Sequence, residues 1–358
     1  MTARAKTNLL FEVMVLAVSR EPLETDHNKE DLMVNPDHIT QQTAYLLDST
    51  GGGQPLAWEA IAQQRTATQT LWLTLNYTVE ETQRWLTEES GIDPIVCESL
   101  LAEDTRPRCF VHGQGLLAIL RGVNLNPGEN PEDMVSVRVW IEPSRVITVS
   151  HRRLMALGDI AQSLESGDGP HDSGDFLVQL TQRLARRMAS VLEDFDDAVA
   201  ELEDEVLVQE NLQLRTTISV LRRQAIRLRR YLAPQREVMA RLQTEKVAWF
   251  SDLQRAQFRE VADQVTRYVE DLDSAKDRAA IVQDELEARI GAQMNKTMYL
   301  LSIVAAIFLP LGLLTGLLGI NVGGIPGTES PYAFIVVCVA LVLIAIVQGL
   351  LFRRMRWM

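Results

Sequence analysis

Two apolar runs near the C-terminus constrain this 358-residue chain more than any other feature. Residues 297–320 and 331–352 contain no Asp, Glu, Lys or Arg, and only ten residues separate them. At about 1.5 Å of rise per residue, either run is long enough to cross a hydrocarbon core of roughly 30 Å as a helix. A buried hairpin of a soluble protein is the alternative, but two such runs this close together favour a membrane domain over residues 296–358.

The charged flanks of the two runs predict their orientation. Lys296 precedes the first run, and Arg353, Arg354 and Arg356 follow the second, whereas the ten connecting residues contain neither Lys nor Arg. Because positively charged flanks stay on the cytoplasmic side, we expect both termini in the cytosol and the spans in the cytoplasmic (inner) membrane.

The rest of the chain is acidic. Four of the 35 basic residues and one of the 48 acidic residues follow residue 295, which leaves 31 and 47 before it and a net charge of −16. This charge argues against nucleic acid as a partner, since phosphate binding needs a basic surface, and it is compatible with attraction of cations. The cysteines and histidines lack C-x-x-C and H-x-x-x-H spacing, and no nucleophile–base motif or phosphate loop is visible. We therefore expect neither an enzyme nor a permanently bound cofactor.

The cytosolic part divides by pattern into three regions. Residues 1–40 are predicted to be a flexible extension, residues 41–165 an α/β domain and residues 175–295 a helical stalk, with the Gly/Asp-rich residues 165–175 between the last two. Alternating apolar residues predict strands, and helical spacing predicts helices. The predicted strand regions are 70–77, 109–123 (two strands) and 134–151 (two strands), and the predicted helices are 79–90 and 93–104.

A heptad pattern dominates the stalk. Between Pro234 and Leu309 the only glycine is Gly291 and there is no further proline, so residues 236–295 predict a rod of about 90 Å that continues into the first span. Apolar residues at alternating steps of three and four predict packing on neighbouring helices, of this chain or of another. They are Phe258, Val261, Val265, Tyr268, Leu272, Ala275, Ala279, Val282 and Leu286.

An acidic run lies earlier in the helical region. Residues 193–205 contain eight acidic residues and no basic one. The run is either a solvated helix face or a collar that concentrates cations, and the sequence leaves both interpretations open.

One face of the first span carries a regular row of residues, in which bulky apolar side chains are followed by small ones. We call this row the stripe. It consists of Asn295, Met298, Leu301, Ala305, Leu309, Gly312 and Gly316. Small residues at this spacing allow membrane helices to pack closely, which is the interpretation that physical reasoning alone favours. Alternatively, the stripe lines a channel, with the bulky residues as a hydrophobic gate. Since two spans cannot enclose a pore, conduction would require an oligomer.

The end of the first span carries a specific resemblance. The segment MNKTMYLLSIVAAIFLPLGLLTGLLGIN, ending in Gly319-Ile320-Asn321, resembles the pore helix of the CorA/ZntB superfamily of two-span metal transporters. The segment LRRQAIRLRRYLAPQREVMARL and the basic tail also resemble this superfamily, and residues 100–143 resemble its ZntB branch. The resemblance implies an α+β (α/β) cytosolic domain followed by a long stalk helix and two transmembrane helices.

The resemblance also implies an assembly and site residues. It implies a funnel-shaped homopentamer whose first spans line the pore, with the stripe facing the lumen and Gly319, Ile320 and Asn321 as the selectivity filter. Ile320 replaces the usual methionine, and Glu329 is the only acid in the connecting loop, both of which favour zinc transport over a magnesium channel. Counting back from Asn321 places Glu260 at a regulatory metal site, although an ordinary exposed acid is an equal alternative.

The function implied is uptake of Zn²⁺, with Mg²⁺, Co²⁺, Ni²⁺ or Cd²⁺ as other cargo and proton coupling unresolved. No Cys or His lies on the stripe, so zinc selectivity follows from the resemblance and not from pore chemistry. The alternatives are a CorA-type magnesium/cobalt channel and a non-transporting scaffold anchored by the hairpin.

Overall fold

The computed structural model describes residues 42–61, 69–208, 212–319 and 330–354. These residues divide into two compact units. The first comprises the described residues up to 207 and residues 213–281, and the second comprises residues 282–319 and 330–354 with positions 208 and 212. The predicted extension at residues 1–40 lies outside the described ranges.

Seven strands form one mixed sheet in the described part of the first unit. Across the sheet their order is β2-β1-β3-β7-β6-β5-β4, so β2 and β4 form the edges. Neighbouring strands are antiparallel except β3 and β7, which are parallel. The predicted strand regions are confirmed, whereas β1 and β2 were not predicted. The strands are β1 (Thr43–Leu47), β2 (Gly53–Leu56), β3 (Thr70–Asn76), β4 (Arg108–His112), β5 (Gly115–Gly122), β6 (Val135–Glu142) and β7 (Arg145–Ser150).

Seven α-helices accompany the sheet in the described residues. They are α1 (Glu80–Arg84, continued by a π-helical turn Trp85–Glu89), α2 (Pro94–Leu101), α3 (Met155–Ser166), α4 (Ser173–Val208), α5 (Leu212–Thr244), α6 (Asp252–Leu318) and α7 (Ala333–Arg354). The predicted helices at 79–90 and 93–104 are confirmed. Local chemistry explains where α2 begins, since Asp93 accepts a hydrogen bond from the Ile95 N–H at 2.9 Å and Pro94 occupies the first helical position.

Both faces of the sheet are buried because side chains alternate along each strand. On β5, Leu116, Ala118 and Leu120 belong to one core, which includes residues of α3, α4, α5 and α6. Leu117 and Ile119 belong to the opposite core, which includes residues of α2 and the π-helical turn. The sheet is therefore the middle layer of an α+β domain, as the resemblance implied.

The heptad seam of α6 is covered within the chain itself. Eight of its nine residues are at most 6% exposed, and Tyr268 is half-buried against the first core. In the first unit, ion pairs join α6 to its neighbours: Arg229 of α5 donates to Asp273 at 2.6 Å. The seam thus serves packing inside one copy of the chain.

The stalk prediction is wrong about where the long helix begins. Residues 236–295 are not one rod, because α5 passes through Pro234 and ends before α6 starts. A reciprocal cap starts α6: the Gln254 side chain accepts from the Ser251 N–H at 2.9 Å, and the Ser251 hydroxyl accepts from the Gln254 N–H at 3.2 Å. Arg255 then donates to two backbone carbonyls of the connecting segment. From this cap α6 continues unbroken for 67 residues into the first span, as predicted.

Candidate pore-lining surface of the long helix

The C-terminal part of α6 exposes the stripe. All seven stripe residues are exposed, and the largest are Met298 at 65%, Leu301 at 69% and Leu309 at 73%. Both α6 and α7 contain a segment long and apolar enough to cross a membrane. Apolar side chains left bare in a single copy need lipid or another copy of the chain to cover them.

A different face of α6 is covered within the second unit. Ile303 is 8% exposed, and Ala306, Ile307, Leu311 and Leu314 are half-buried at helical spacing. Helix α7 carries a matching half-buried row, which consists of Ala333, Val337, Leu341, Ile344 and Gln348. The stripe therefore lies outside the face that the chain covers by itself.

The stripe glycines have no packing role inside one copy. A Cβ atom added at Gly312 or Gly316 would meet nothing within 4 Å in the described chain beyond neighbouring backbone of its own helix. The prediction that small residues here allow close packing therefore fails within the chain. Packing between copies and lining of a pore both remain compatible with this open space.

Polar groups of the span are satisfied locally, as a segment in lipid requires. The Ser302 hydroxyl donates to the Met298 carbonyl at 2.8 Å, and the Thr315 hydroxyl donates to the Leu311 carbonyl at 3.0 Å. Pro310 lies within the helix and offers no N–H. Apart from the carboxamide of Asn295, the exposed stripe thus presents apolar side chains and backbone, and none of its side chains is charged.

The predicted filter lies only partly within the described residues. Gly319 is exposed and its N–H donates to the Thr315 carbonyl at 2.9 Å. Ile320 and Asn321 lie outside the described ranges. The selectivity filter of Gly319, Ile320 and Asn321 stays a prediction.

The structure does not place Glu260 in a metal centre. Its side chain is exposed on α6, and the described residues contain no group of three or more His, Cys, Asp or Glu side chains arranged to hold a metal ion. Its role as a ligand remains a prediction.

The acidic run of α4 faces outward. Its apolar residues form a buried row at helical spacing, from Leu192 to Val206. Arg278 of α6 binds the Glu203 carboxylate at 2.8 Å through each of two nitrogens and lies 2.5 Å from Asp196. This guanidinium lowers the pKa of the Glu203 carboxyl. The single chain thus shows a solvated, partly paired face, and the collar stays a prediction.

Sequence comparison assigns the family. Residues 67–354 match the family described as CorA-like Mg²⁺ transporter protein. The chain belongs to this family. With two helices suited to crossing a bilayer, it is a membrane protein from a family of divalent cation transporters.

Individual relatives match over almost their whole length. The divalent cation transporter CmaX of Pseudomonas aeruginosa is 40% identical over 88% of this chain and 96% of its own length. The zinc transport protein ZntB of Yersinia pseudotuberculosis is 35% identical over 88% of this chain and 95% of its own. The structure of full-length CmaX superposes with a TM-score of 0.77 at 38% identity, covering 88% of this chain and 97% of that one. The resemblance to the superfamily is therefore confirmed.

Sequence reasoning did not single out Gln348, which is a polar residue within the second apolar run. Its side-chain oxygen is buried and has no hydrogen-bond partner in the described part of the chain. A single carboxamide among apolar residues could have been noticed in the sequence, since an unpaired polar side chain within a membrane span is energetically unfavourable.

Proposed function

We propose that this protein is a homopentamer that carries divalent cations, most readily Zn²⁺, into the cytosol through a pore lined by α6. The exposed stripe carries the proposal. It is a regular surface of the span that one copy leaves bare, and five copies around an axis would cover it while enclosing a path.

The residue types of the stripe suit a gate followed by a wider mouth. Rings of Met298, Leu301 and Leu309 would form narrow apolar constrictions that close by dewetting. Gly312 and Gly316 would leave more room towards the end of the span. No stripe side chain is charged, so a passing ion would not be trapped.

Asn321 would form the outer ring of this pore. Neutral amide oxygens can bind the water shell of a divalent ion without removing it, which suits cations that dehydrate reluctantly. A ring of carboxylates or thiolates would hold Zn²⁺ tightly and slow its release.

Membrane potential favours uptake through such a pore. A divalent ion gains about 4.6 kcal/mol per 100 mV on entering a negative interior, twice the value for one charge. Neither apolar run contains Asp, Glu or His, so any proton coupling would use pore water or cytosolic groups. The basic flanks at Lys296, Arg353 and Arg354 support cytosolic termini in the inner membrane.

Flux into proteoliposomes tests the transport proposal. The purified protein is expected to admit Zn²⁺, with competition by Mg²⁺ weak and with any dependence on an imposed pH gradient measured in the same vesicles. Absence of Zn²⁺ flux with and without the gradient would sink the zinc proposal, and strong competition by Mg²⁺ would favour a magnesium channel.

Two substitutions at Asn321 test the ring. Asn321→Ala should alter flux while leaving the oligomer intact, and Asn321→Asp should bind Zn²⁺ more tightly and pass it more slowly. An unchanged flux in both variants, or the absence of an ordered pentamer, would instead favour the anchored scaffold.

A further inference from the structure

A polar pocket of about 470 Å³ lies in the first unit, and its lining includes no residue of the stripe. It forms where β3 and β7 end, beside β5, β6 and helix α5. Arg121 of β5 pairs in register with Ser136 of β6, and Arg138 of β6 pairs with Ile119, so the two arginines are diagonal neighbours on one sheet face. The strand register thus brings two positive charges together at the pocket.

Arg138 is a fully buried cation without a counterion. Its side chain is 0% exposed, and no carboxylate of the described residues lies within ion-pair distance. One terminal nitrogen donates to the carbonyls of Ala102 and Glu103, and the guanidinium lies 4.1 Å from the centre of the Tyr77 ring. Its Nε and its other terminal nitrogen have no partner in the described chain. Burial lowers its pKa, and Tyr77 opposes that effect only in part.

Arg121 is held in place without a carboxylate partner either. Its terminal nitrogens donate to the carbonyls of Met134 at 2.9 Å and Thr105 at 2.6 Å. Its guanidinium lies 4.4 Å from the centre of the Tyr231 ring, and its Nε has no partner in the described chain. Gln235 fixes the Arg121 backbone through both its N–H and its carbonyl, at 2.7 and 3.1 Å. The Arg121 guanidinium is therefore rigidly positioned, and no direct ion pair with a carboxylate is seen among the described residues.

The pocket as a whole carries excess positive charge. Five arginines and three carboxylates line it, a net charge of +2, although Arg152 also pairs at 3.5 Å with Glu129, which lies outside the lining. Two of the carboxylates, Asp133 at 3.3 Å and Glu132 at 3.9 Å, are engaged by Arg227. A phosphate monoester carries about −1.5 to −2 charges at pH 7 and is therefore opposite in sign to this excess. The volume also falls within the range of about 300–1,000 Å³ usual for small-molecule sites.

We propose that this pocket binds a small molecule through a phosphate group. The phosphate contacts Arg121 and the exposed Arg230 of α5, while Arg138 supplies uncompensated charge from beneath the pocket surface. An unpaired buried guanidinium is costly to the free protein, and an arriving dianion offsets that cost. The ligand site lies in the first unit and is independent of the transport proposal.

Calorimetric titration of the full-length protein in dodecyl maltoside, which contains no phosphate, tests this inference. The probes are inorganic phosphate, adenosine 5′-monophosphate and dihexanoyl phosphatidate, with malonate as a carboxylate dianion. We expect at least one phosphate probe to bind and malonate not to bind. Arg138→Gln and Arg230→Ala should each weaken binding at least about tenfold. Arg223→Ala, which removes a charge from the same helix outside the pocket lining, should leave the affinity unchanged.

The outcomes are decisive in either direction. Binding of phosphatidate alone supports the proposal and assigns the phosphate to a lipid headgroup, whereas binding of the soluble probes assigns it to a metabolite. No binding by any phosphate probe overturns the proposal, as does equal binding of malonate or binding that survives both pocket substitutions. If Arg138→Gln fails to fold, Arg230→Ala alone decides, because Arg230 is exposed.

Discussion

Substitution of the stripe glycines distinguishes two roles for the stripe: lining a pore, or packing against a helix of another copy. Leucine at Gly312 or Gly316 would meet no atom at its Cβ within 4 Å in the described chain, other than nearby backbone of its own helix. The substitution therefore should not disturb the hairpin of one copy. Gly349 has an equally open Cβ position and lies on α7 rather than on α6, so it provides a matched control.

The expected change in stability is small and favourable. Glycine in a helix interior costs roughly 0.5–1 kcal/mol relative to alanine. Since no close contact opposes the new side chain, Gly312→Ala should raise the stability of one copy by about this amount. Any loss of transport in the Gly312 variants must then result from an effect in the oligomer, and not from destabilisation of one copy.

The assay measures Zn²⁺ flux per oligomer in proteoliposomes, with the oligomer counted by light scattering in detergent. Gly312→Leu and Gly316→Leu should preserve the pentamer and abolish most of the flux, because five added side chains narrow one ring of the pore. Gly349→Leu should retain flux. Loss of the pentamer in the stripe variants would instead identify the stripe as a packing interface, and normal flux with an intact pentamer would refute a lumenal position.

Three further predictions concern the first unit. Phe258→Ala, which empties a fully buried site, should cost about 3–5 kcal/mol and lower the melting temperature followed by tryptophan fluorescence, whereas Leu253→Ala at a 69% exposed site should not. The pKa of Glu203 is lowered by Arg278, so their ion pair stabilises the folded protein at pH values above 4.5, the ordinary pKa of a glutamate. This stabilisation is lost as the pH falls through the lower pKa of the folded state. Arg278→Met should therefore reduce the acid dependence of the melting temperature, by an amount equivalent to at most about 1 kcal/mol because the pair is partly exposed. Burial raises the pKa of Cys109 to about 11. Mass spectrometry should therefore find maleimide on Cys109 at pH 8 only after the protein has been denatured.

Local spacing predicted most of the helical architecture. The heptad residues from Phe258 to Leu286 are buried as one seam because a period of 3.5 residues keeps a single helix face in register with its neighbours. The same reasoning located the stripe, whose exposure depends on which face α7 leaves bare. The start of α6 was also readable, since Ser251 and Gln254 stand at the spacing of a capping box, and the prediction missed it by treating Pro234 as a helix start.

Features that depend on distant pairing were beyond sequence reasoning. Arg121 and Arg138 are 17 residues apart, and only the β5–β6 register makes them neighbours. Arg230 reaches the same pocket from α5, more than 90 residues further along the chain. Local sequence periodicity carries no information about contacts between residues so far apart in the chain, so the pocket could not be predicted. Strand β1 was missed because five residues carry little pattern, and its pairing with β3 rather than any propensity defines it.

The two edge strands of the sheet affect whether copies of the protein in one membrane aggregate. An edge strand offers unpaired backbone groups to which a second molecule can add a strand of its own. Here β2 is four residues long and contains Pro55, which has no N–H to donate, and β4 presents the exposed charge of Arg108. Anchoring in a membrane raises the local concentration of a protein, which favours such strand addition. Short, interrupted and charged edges disfavour the addition of a strand from another copy.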